Sequence, residues 1–349
     1  MRILLIGNFA PPYEEESLHN FTLLSLLRQE GNDCCGINIS ENPSQEHGII
    51  DAKGYFDFLF KLIRYGWKKD VIHILTKGYT RTAFFRFMTA ILFGKVLRAK
   101  SIGTLHSEMF SVFVQSRSPV GVQAICASFY AADKIICSDK HTSLASTKYK
   151  TRDNFEVIPS VIQIPEDISE DKLLSLKKLE NKEKIIVFSN IRYPSFLFDI
   201  LNNFAAKYLN PDIAAAVFLS KMSLTEVQNA IEEAGYKSAE NLIFIDADDM
   251  QIVSIVYAKA TIILRTLSCD GKTLFKENAL IVRTGARLGN YLCFPSSMLL
   301  VREGEIADLC AYMFNNILME GPGSAPPDLS TEDFHKRIKD IYSRWKLSE

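Results

Sequence analysis

Several patterns that mark well-known functions are missing from this chain of 349 residues. Its seven cysteines are scattered and none forms a Cys-x-x-Cys pair, which disfavours a zinc ribbon, a redox motif and a disulfide framework. We interpret them as small buried hydrophobic residues in a reducing compartment. The longest apolar stretch, Thr82–Gly94, is interrupted by Arg86 and is too short to span a bilayer. No signal peptide is recognisable at the start, so we expect a cytoplasmic protein.

An excess of charge of one sign is also missing. The chain has 40 Lys and Arg residues against 41 Asp and Glu residues, a net charge of −1. This balance gives no basic footprint over the whole chain, so we expect no nucleic-acid partner. With 47% hydrophobic and 23% charged residues the chain has enough apolar surface to fold, which excludes intrinsic disorder for most of it. Its length predicts about two domains.

Glycine-rich phosphate loops are absent as well. There is no G-x-x-x-x-G-K-[ST] sequence, and Gly7 after the first predicted strand is followed by Asn-Phe-Ala-Pro-Pro rather than by G-x-x-G. A nicotinamide or flavin enzyme is therefore disfavoured. Three carboxylates, Glu14–Glu16, stand at the predicted start of the next helix, where they suit the helix dipole and would repel a diphosphate.

What the chain does contain is a repeated alternation of apolar strands and helices. This alternation predicts parallel sheets covered on both faces, in two Rossmann-like doubly wound α/β domains. We expect an N-terminal domain over 1–164, a charged linker over 165–183 and a second domain over 184–325, with an amphipathic C-terminal helix within 331–349 that crosses back to the first domain. Ligands bind at the carboxyl ends of such strands, so two facing domains form a cleft between them.

The segment from Arg265 to Leu280 is the most informative one in the second half. A strand is predicted to end at Arg265 and a helix to run over Thr273–Gly285, with the Asp270-Gly271 loop between them. The start of that helix, beside Lys272, would be an anion site, with Glu277 one turn further on to accept two sugar hydroxyl groups. An ordinary connection with a solvated Glu277 is the alternative.

Segments along most of the chain resemble the GT-B glycosyltransferases, specifically those of glycosyltransferase family 4, which use nucleotide-sugar donors. In the first half the similar segments are Pro11-Pro12, Asp70-Val-Ile-His-Ile, Ile102-Gly-Thr-Leu-His106, Ala131–Ser138 and Val157-Ile-Pro159. In the second half they are Asn241–Ile245, Ile255–Ala258, Ala260–Arg265, Asp270-Gly271, Glu277–Leu280 and Gly285. The resemblance implies a hexosyltransferase that retains the anomeric configuration.

The resemblance also implies the roles of individual residues. The donor would contact Glu277 through its ribose and Asp270, Gly271, Lys272 and Thr273 through its diphosphate, and Arg192 or Lys272 would neutralise the leaving group. His106 would lie near the reacting sugar as a catalytic residue together with Glu277. The acceptor would contact Asn8, Phe9 and Glu108.

Three departures from the family pattern leave open a changed donor or a loss of activity. The glycine pair after Pro11-Pro12 is missing, and Ser195 stands where a lysine is expected. Asp270 stands where the first of two glutamates is expected, and six residues rather than seven separate it from Glu277. Lys272 is a candidate to replace the lost charge.

We expect no metal and no other cofactor. The segment Asp246-Ala-Asp248-Asp249 superficially resembles an Asp-x-Asp metal motif, but it lies between a strand and a helix, where Asp248 or Asp249 is a natural N-cap. The predicted helix Arg81–Lys100 and the segment Tyr55–Lys69 combine basic with apolar residues. They indicate peripheral contact with an anionic membrane at its inner face, the alternative being helices that simply cover a sheet.

Taken together, these features predict a retaining glycosyltransferase that moves a sugar from a UDP- or GDP-linked donor to a glycan or lipid-linked acceptor, in the synthesis of surface polysaccharides or glycoconjugates. A non-catalytic scaffold or partner subunit of the same fold and a nucleotide-sugar epimerase are the alternatives. The base, the sugar, the acceptor and the oligomeric state stay open.

Overall fold

The computed structural model describes residues 1–76, 81–106, 119–138, 142–143, 153–189, 212–219, 241–267, 279–283, 286–294, 299–302 and 331–343. Within these ranges three sheets are formed, two of them large. The two-sheet α/β architecture predicted from the sequence is confirmed. Arg192, Asp270, Gly271, Lys272, Thr273, Glu277 and Glu108, which the sequence assigns to the site, lie outside the described residues.

The first sheet has seven strands, all parallel to their neighbours, in the order β3-β2-β1-β4-β5-β6-β7. Their near-continuous apolar composition is typical of strands that are buried on both faces. The strands are β1 (Arg2–Gly7), β2 (Asp33–Asn38), β3 (Ile49–Asp51), β4 (Val71–Thr76), β5 (Lys100–Leu105), β6 (Lys134–Cys137) and β7 (Phe155–Val157).

Helices cover both faces of this sheet. On one face lie α2 (Gly54–Gly66), α3 (Arg81–Val96) and α4 (Pro119–Ala131), whose inner side chains join a core around Leu4, Ile6 and Ile72. On the other face lie α1 (Glu15–Gln29) and the C-terminal helix α7 (Thr331–Ser343). Ile338, Ile341 and Tyr342 of α7 pack in one cluster with side chains of β1, β4 and β5.

The second sheet has six strands in the order β11-β10-β9-β12-β13-β16. It consists of β9 (Lys184–Ser189), β10 (Ile213–Leu219), β11 (Leu242–Asp246), β12 (Ile262–Leu267), β13 (Ala279–Arg283) and β16 (Leu299–Arg302). Helix α5 (Glu170–Glu180) precedes it, in the predicted linker, and α6 (Met250–Lys259) connects β11 to β12. Five strands run in the same direction, while β13 runs antiparallel to its two neighbours, β12 and β16.

Strand β13 corrects the helix predicted over Thr273–Gly285. Residues 279–283 form a strand whose first residue, Ala279, lies opposite Leu267 at the end of β12. The run Ala-Leu-Ile-Val has strand length and two β-branched residues, and pairing with both neighbours favours the extended conformation over the helical period. The connection between β12 and β13 therefore leads out from the carboxyl edge of the sheet and returns to it.

A small antiparallel sheet joins the two halves. It contains β14 (Ala286–Leu288), β15 (Tyr291–Cys293) and β8 (Val161–Gln163), the last from the end of the N-terminal half. Alternate residues face opposite cores: Val161 and Cys293 pack with the first sheet, whereas Ile162 and Leu292 pack with the second. The period of two in a strand thus lets one short sheet contribute to both cores.

Candidate functional site

The carboxyl ends of the strands in the two large sheets carry the candidate site. In the first sheet the strand order reverses between β1 and β4, and in the second it reverses between β9 and β12. Such switch points are where open α/β sheets bind ligands. The loop after β1 crosses to the second half, because the backbone N–H of Tyr13 donates to the carbonyl oxygen of Ala247, just after β11, at 2.7 Å.

Asn8 follows β1 directly and is held from two sides. Its side-chain amide donates to Glu16 Oε2 at 3.2 Å, and its carbonyl oxygen accepts from the Asn20 amide at 3.0 Å. Gly7 is needed for this arrangement, since a Cβ there would lie 2.7 Å from Asn20 Nδ2. The glycine is therefore explained by close packing of α1 against β1.

The three glutamates at the start of α1 are located as the sequence predicts. Glu14 is the N-cap, and Glu15 and Glu16 form the first turn, both largely buried. Ser17 lies at the third helical position and accepts from the Glu14 N–H at 2.8 Å. The free N–H groups and dipole of the helix start favour these negative charges.

His106 lies directly after β5, at the same edge of the sheet as Asn8. Its N–H donates to the Thr76 carbonyl oxygen at 2.9 Å, and its Nδ1 lies 3.2 Å from Ser160 Oγ. The side chain is only 4% exposed. His106 is thus held by the ends of β4 and β5 and by the segment before β8.

His19 of α1 is a neighbour of His106 that the sequence did not single out. The two rings pack edge to face with centroids 4.9 Å apart. His19 Nδ1 lies 3.0 Å from the backbone nitrogen and carbonyl oxygen of Val161, and burial lowers the pKa of His19 to about 4. It is therefore neutral near pH 7. A polar residue on the apolar face of α1 was the available signal.

Phe9 differs from the other predicted acceptor contacts. Its ring is fully buried and packs edge to face on Phe21, with centroids 5.4 Å apart. Its backbone N–H donates to Asn38 Oδ1 at 3.0 Å. The side chain therefore belongs to the core and is not available to an acceptor, contrary to the expectation from the sequence.

In the second sheet β9 and β12 are neighbours, and Arg265 lies opposite Ser189 near their carboxyl ends. Arg192 follows Ser189 by three residues, and Asp270 follows Leu267 by three. Both segments thus leave the sheet at its switch point. Glu277 precedes Ala279, which lies opposite Leu267, so the connection that carries Glu277 returns to the same edge.

The acidic segment after β11 is engaged in local structure. Asp249 is the N-cap of α6 and accepts from the backbone N–H groups of Gln251 and Ile252, as predicted for a cap. Burial alone would raise the pKa of Asp249, but hydrogen bonds from Lys172 and from those two N–H groups outweigh it and lower the pKa. Asp249 also forms an ion pair with Lys172 at 2.7 Å.

A cavity of about 410 Å³ lies beside α1, β8 and α6. Arg28, Gln163 and Gln251 are among its polar lining residues. None of the predicted site residues lines it, so it is separate from the strand ends described above. Among the described residues, no helix is both long and apolar enough to cross a membrane.

No protein-family model matches the chain. No curated protein matches it either. Solved structures do resemble it. One is HepE of Anabaena, in complex with UDP and glucose, which is 14% identical with a TM-score of 0.47 over 73% of this chain and 72% of that one.

Two others show a similar likeness. The UDP-GlcNAc 2-epimerase of Methanocaldococcus jannaschii is 11% identical, with a TM-score of 0.47 over 76% of this chain and 78% of that one. The catalytic domain of Starch Synthase IV from Arabidopsis thaliana, bound to ADP and acarbose, is 10% identical, with a TM-score of 0.46 over 75% and 77%. Since these scores lie below 0.5, the assignment of the GT-B fold rests on the architecture itself: two large α/β sheets, each with a switch point in its strand order, joined by the small sheet of β14, β15 and β8.

Proposed function

We propose that the chain is a glycosyltransferase that moves a sugar from a UDP- or GDP-linked donor to a glycan or lipid-linked acceptor and retains the anomeric configuration. The observations that carry the proposal are the switch point in each large sheet and the contact of the loop after β1 with the carboxyl end of β11. Residues suited to a nucleotide diphosphate follow β9 and β12 in the sequence, whereas Asn8 follows β1 and His106 follows β5, the neighbour of β4. This division fits an enzyme that joins two substrates.

The donor half of the proposal rests on the two segments that leave β9 and β12. Arg192 and Lys272 are proposed to supply positive charge at this edge, because charge of that sign stabilises a departing diphosphate in the transition state. The backbone N–H groups of the segment from Asp270 to Thr273 are proposed as donors to the diphosphate. Glu277 is proposed to accept the ribose hydroxyl groups. This arrangement needs no metal.

The acceptor half of the proposal rests on the strand ends of the first sheet. His106 is held at its backbone and at Nδ1, which fixes the orientation of its ring, and we propose that the reacting sugar binds beside it. The Asn8 amide, oriented by Glu16, and Glu108, two residues after His106, are proposed to contact the acceptor. From Phe9 only the backbone is proposed to take part, because its ring is buried.

Nucleotide binding to the purified full-length chain tests the donor half. The melting temperature is measured against UDP, GDP, ADP and inorganic phosphate over a concentration series. We expect UDP or GDP to raise it with the logarithm of concentration, since a ligand that binds only the folded state stabilises by RT ln(1 + [L]/Kd). Arg192→Ala and Lys272→Ala should each weaken binding by about 10- to 100-fold, the usual effect of losing a charged hydrogen bond. Lys177→Ala, an exposed lysine of α5, is the matched control.

The remaining outcomes separate the alternatives. Absence of any nucleotide effect would contradict the proposal and favour a scaffold. Glu277→Ala should abolish whatever binding is seen. Conversion of a nucleotide-sugar without an acceptor would favour an epimerase, whereas release of nucleoside diphosphate that depends on an acceptor supports transfer.

A further inference from the structure

The outer surface of α2 is apolar. Phe56, Phe60, Ile63 and Trp67 are spaced by four, three and four residues, which places them in one stripe along the helix and its C-cap. All four are exposed, Phe56 at 84% and Trp67 at 60%. The opposite side of the helix is also apolar, because it carries Phe58 and Leu62, which are buried in the core. Helix α2 is therefore apolar on both sides.

Helix α3 carries a second stripe of the same kind. Phe85, Leu92 and Val96 are exposed, with Val96 at 78%, and Thr89 completes the spacing of four, three and four. The two helices lie side by side, because the Tyr55 hydroxyl group is 2.7 Å from Thr89 Oγ1. The two stripes therefore form one surface, here called the docking face: Phe56, Phe60, Ile63, Trp67, Phe85, Leu92 and Val96.

This clustering differs from the scattered hydrophobic residues of an ordinary surface. Ten large hydrophobic side chains are exposed in the described part of the chain, and seven of them belong to the docking face. Isolated exposed hydrophobic residues need no explanation, but a contiguous patch marks a site of interaction. We therefore expect a binding partner that covers the docking face and shields it from water.

The charge around the docking face indicates what that partner is. Lys53, Arg64, Lys68 and Arg98 are exposed beside it. The only carboxylate within α2 and α3 is Asp57, which forms an ion pair with Lys61 at 2.7 Å. Two copies that met through this face would bring like charges together, whereas an anionic lipid surface accepts aromatic and aliphatic side chains and pairs with Lys and Arg at the headgroups.

We propose that the docking face is a peripheral binding surface for an anionic phospholipid bilayer. Helices α2 and α3 follow β3 and β4, so both begin at the carboxyl edge of the first sheet, where Asn8 and His106 lie. A chain bound through this face would lie with the α2 and α3 layer against the membrane, from the carboxyl edge of the sheet to the opposite edge. This proposal rests on the exposure and the charge of the docking face and does not depend on the proposed reaction.

A fluorescence measurement tests the surface itself. The chain has two tryptophans, Trp67 and Trp345, so the Trp345→Phe variant of the full-length chain leaves Trp67 as its only indole. Vesicles of phosphatidylcholine with 30% phosphatidylglycerol should shift its emission to shorter wavelength, and brominated lipids should quench it. Vesicles of phosphatidylcholine alone should act more weakly, and salt should reduce binding because it screens the lysine and arginine charges.

Flotation with the same vesicles tests which residues act. Phe60→Ser with Ile63→Ser should weaken binding at least tenfold, since two large apolar side chains lose their burial in the bilayer. Arg64→Glu with Lys68→Glu should also weaken it. Leu174→Ser, which removes an exposed leucine from α5, is the matched control and should bind as wild type does. Urea denaturation of each variant verifies that it folds.

Several results would overturn this proposal. Wild-type protein that folds and yet ignores anionic vesicles would do so, as would a Phe60→Ser, Ile63→Ser variant that binds them as wild type does. Sedimentation that shows a dimer in the absence of lipid, lost in that variant, would assign the face to a second copy instead. These assays contain no nucleotide and the binding assay above contains no lipid, so the two proposals fail independently.

Discussion

The two faces of the first sheet are covered by helices of very different outer composition. Helix α7 on one face exposes polar side chains, Lys336, Arg337 and Lys339, to water, while α1 beside it is buried along most of its length. Helices α2 and α3 on the other face expose aromatic and aliphatic side chains. Both layers bury similar apolar residues against the strands. The sides of the helices that pack on the sheet are therefore apolar in both layers. The layers differ on the side that faces away from the sheet.

The two inner faces also differ in how they are built. Under α7 the contacts are partly polar: His73 Nδ1 lies 2.5 Å from the Tyr342 hydroxyl group, His73 Nε2 lies 2.7 Å from Thr104 Oγ1, and the Lys100 ammonium group donates to the Ile341 carbonyl oxygen. Under α3 the contact is close and mostly apolar: Gly103 of β5 lies against Phe87, and Gly94 of α3 lies against Ser101, whose hydroxyl group donates to the Ile91 carbonyl oxygen at 3.1 Å. Among the described residues, polar contacts are therefore more numerous under α7, whereas close packing at glycines occurs under α3.

The largest expected effect concerns the α7 side. Tyr342 is 2% exposed and packs in the core of the first sheet. Tyr342→Ala should lower the free energy of unfolding by about 3–5 kcal/mol, because it removes a large buried ring and leaves a cavity. Urea denaturation followed by circular dichroism measures the change. A destabilisation below about 1 kcal/mol would contradict a core role for α7.

Phe56→Ala is the matched aromatic substitution on the other side. Its ring is exposed, so the free energy of unfolding should change by no more than about 0.5 kcal/mol. A loss comparable to that of Tyr342→Ala would remove the contrast between the two layers, since it would show that the docking face contributes to folding.

A smaller effect is expected under α3. A Cβ at Gly103 would lie 2.8 Å from Phe87 Cζ and closer still to Cε2, in a fully packed part of the core. Gly103→Ala should therefore destabilise by about 1–3 kcal/mol through overpacking. Phe87→Leu in the same chain should recover part of the loss by making room. If the losses in the free energy of unfolding were additive in the double variant, the contact between Gly103 and Phe87 would not determine how closely α3 packs on β5.

Much of the fold follows from local sequence, and the exceptions have physical reasons. Buried runs such as Val71–Thr76 predict strands because their apolar character is continuous. By contrast β8 was missed, since three residues become a strand only by pairing with β15, more than a hundred residues further along the chain. The run from Ala279 was predicted as a helix for the same reason: its strand partners lie elsewhere in the sequence.

The candidate site was predicted in part. His106 and Asn8 lie at strand ends, as the alternation of elements indicates. The ring of Phe9, by contrast, points into the core, because the direction of a side chain just after a strand depends on tertiary packing. His19 was missed because its partner, Val161, is brought to it by the fold. The segment Tyr55–Lys69 was singled out as a candidate membrane contact, but the residues of its exposed stripe were not: the helix is apolar on two sides, and the sequence alone does not tell which side the sheet covers.

A last effect is expected in the pH dependence of the α1 and α7 side. Burial lowers the pKa of His73 to about 3 and that of His19 to about 4, whereas an unfolded histidine titrates near about 6.5. Between pH 6.5 and 5 the unfolded chain therefore binds protons that the folded chain does not, so stability is complete above this window and falls on acidification. Each histidine should contribute a slope of about 1 kcal/mol per pH unit, and His73→Gln or His19→Gln should each remove one such slope from the urea midpoints measured across the window. Slopes equal to wild type in both variants would contradict neutral burial of these rings, whatever the absolute stability of the variants.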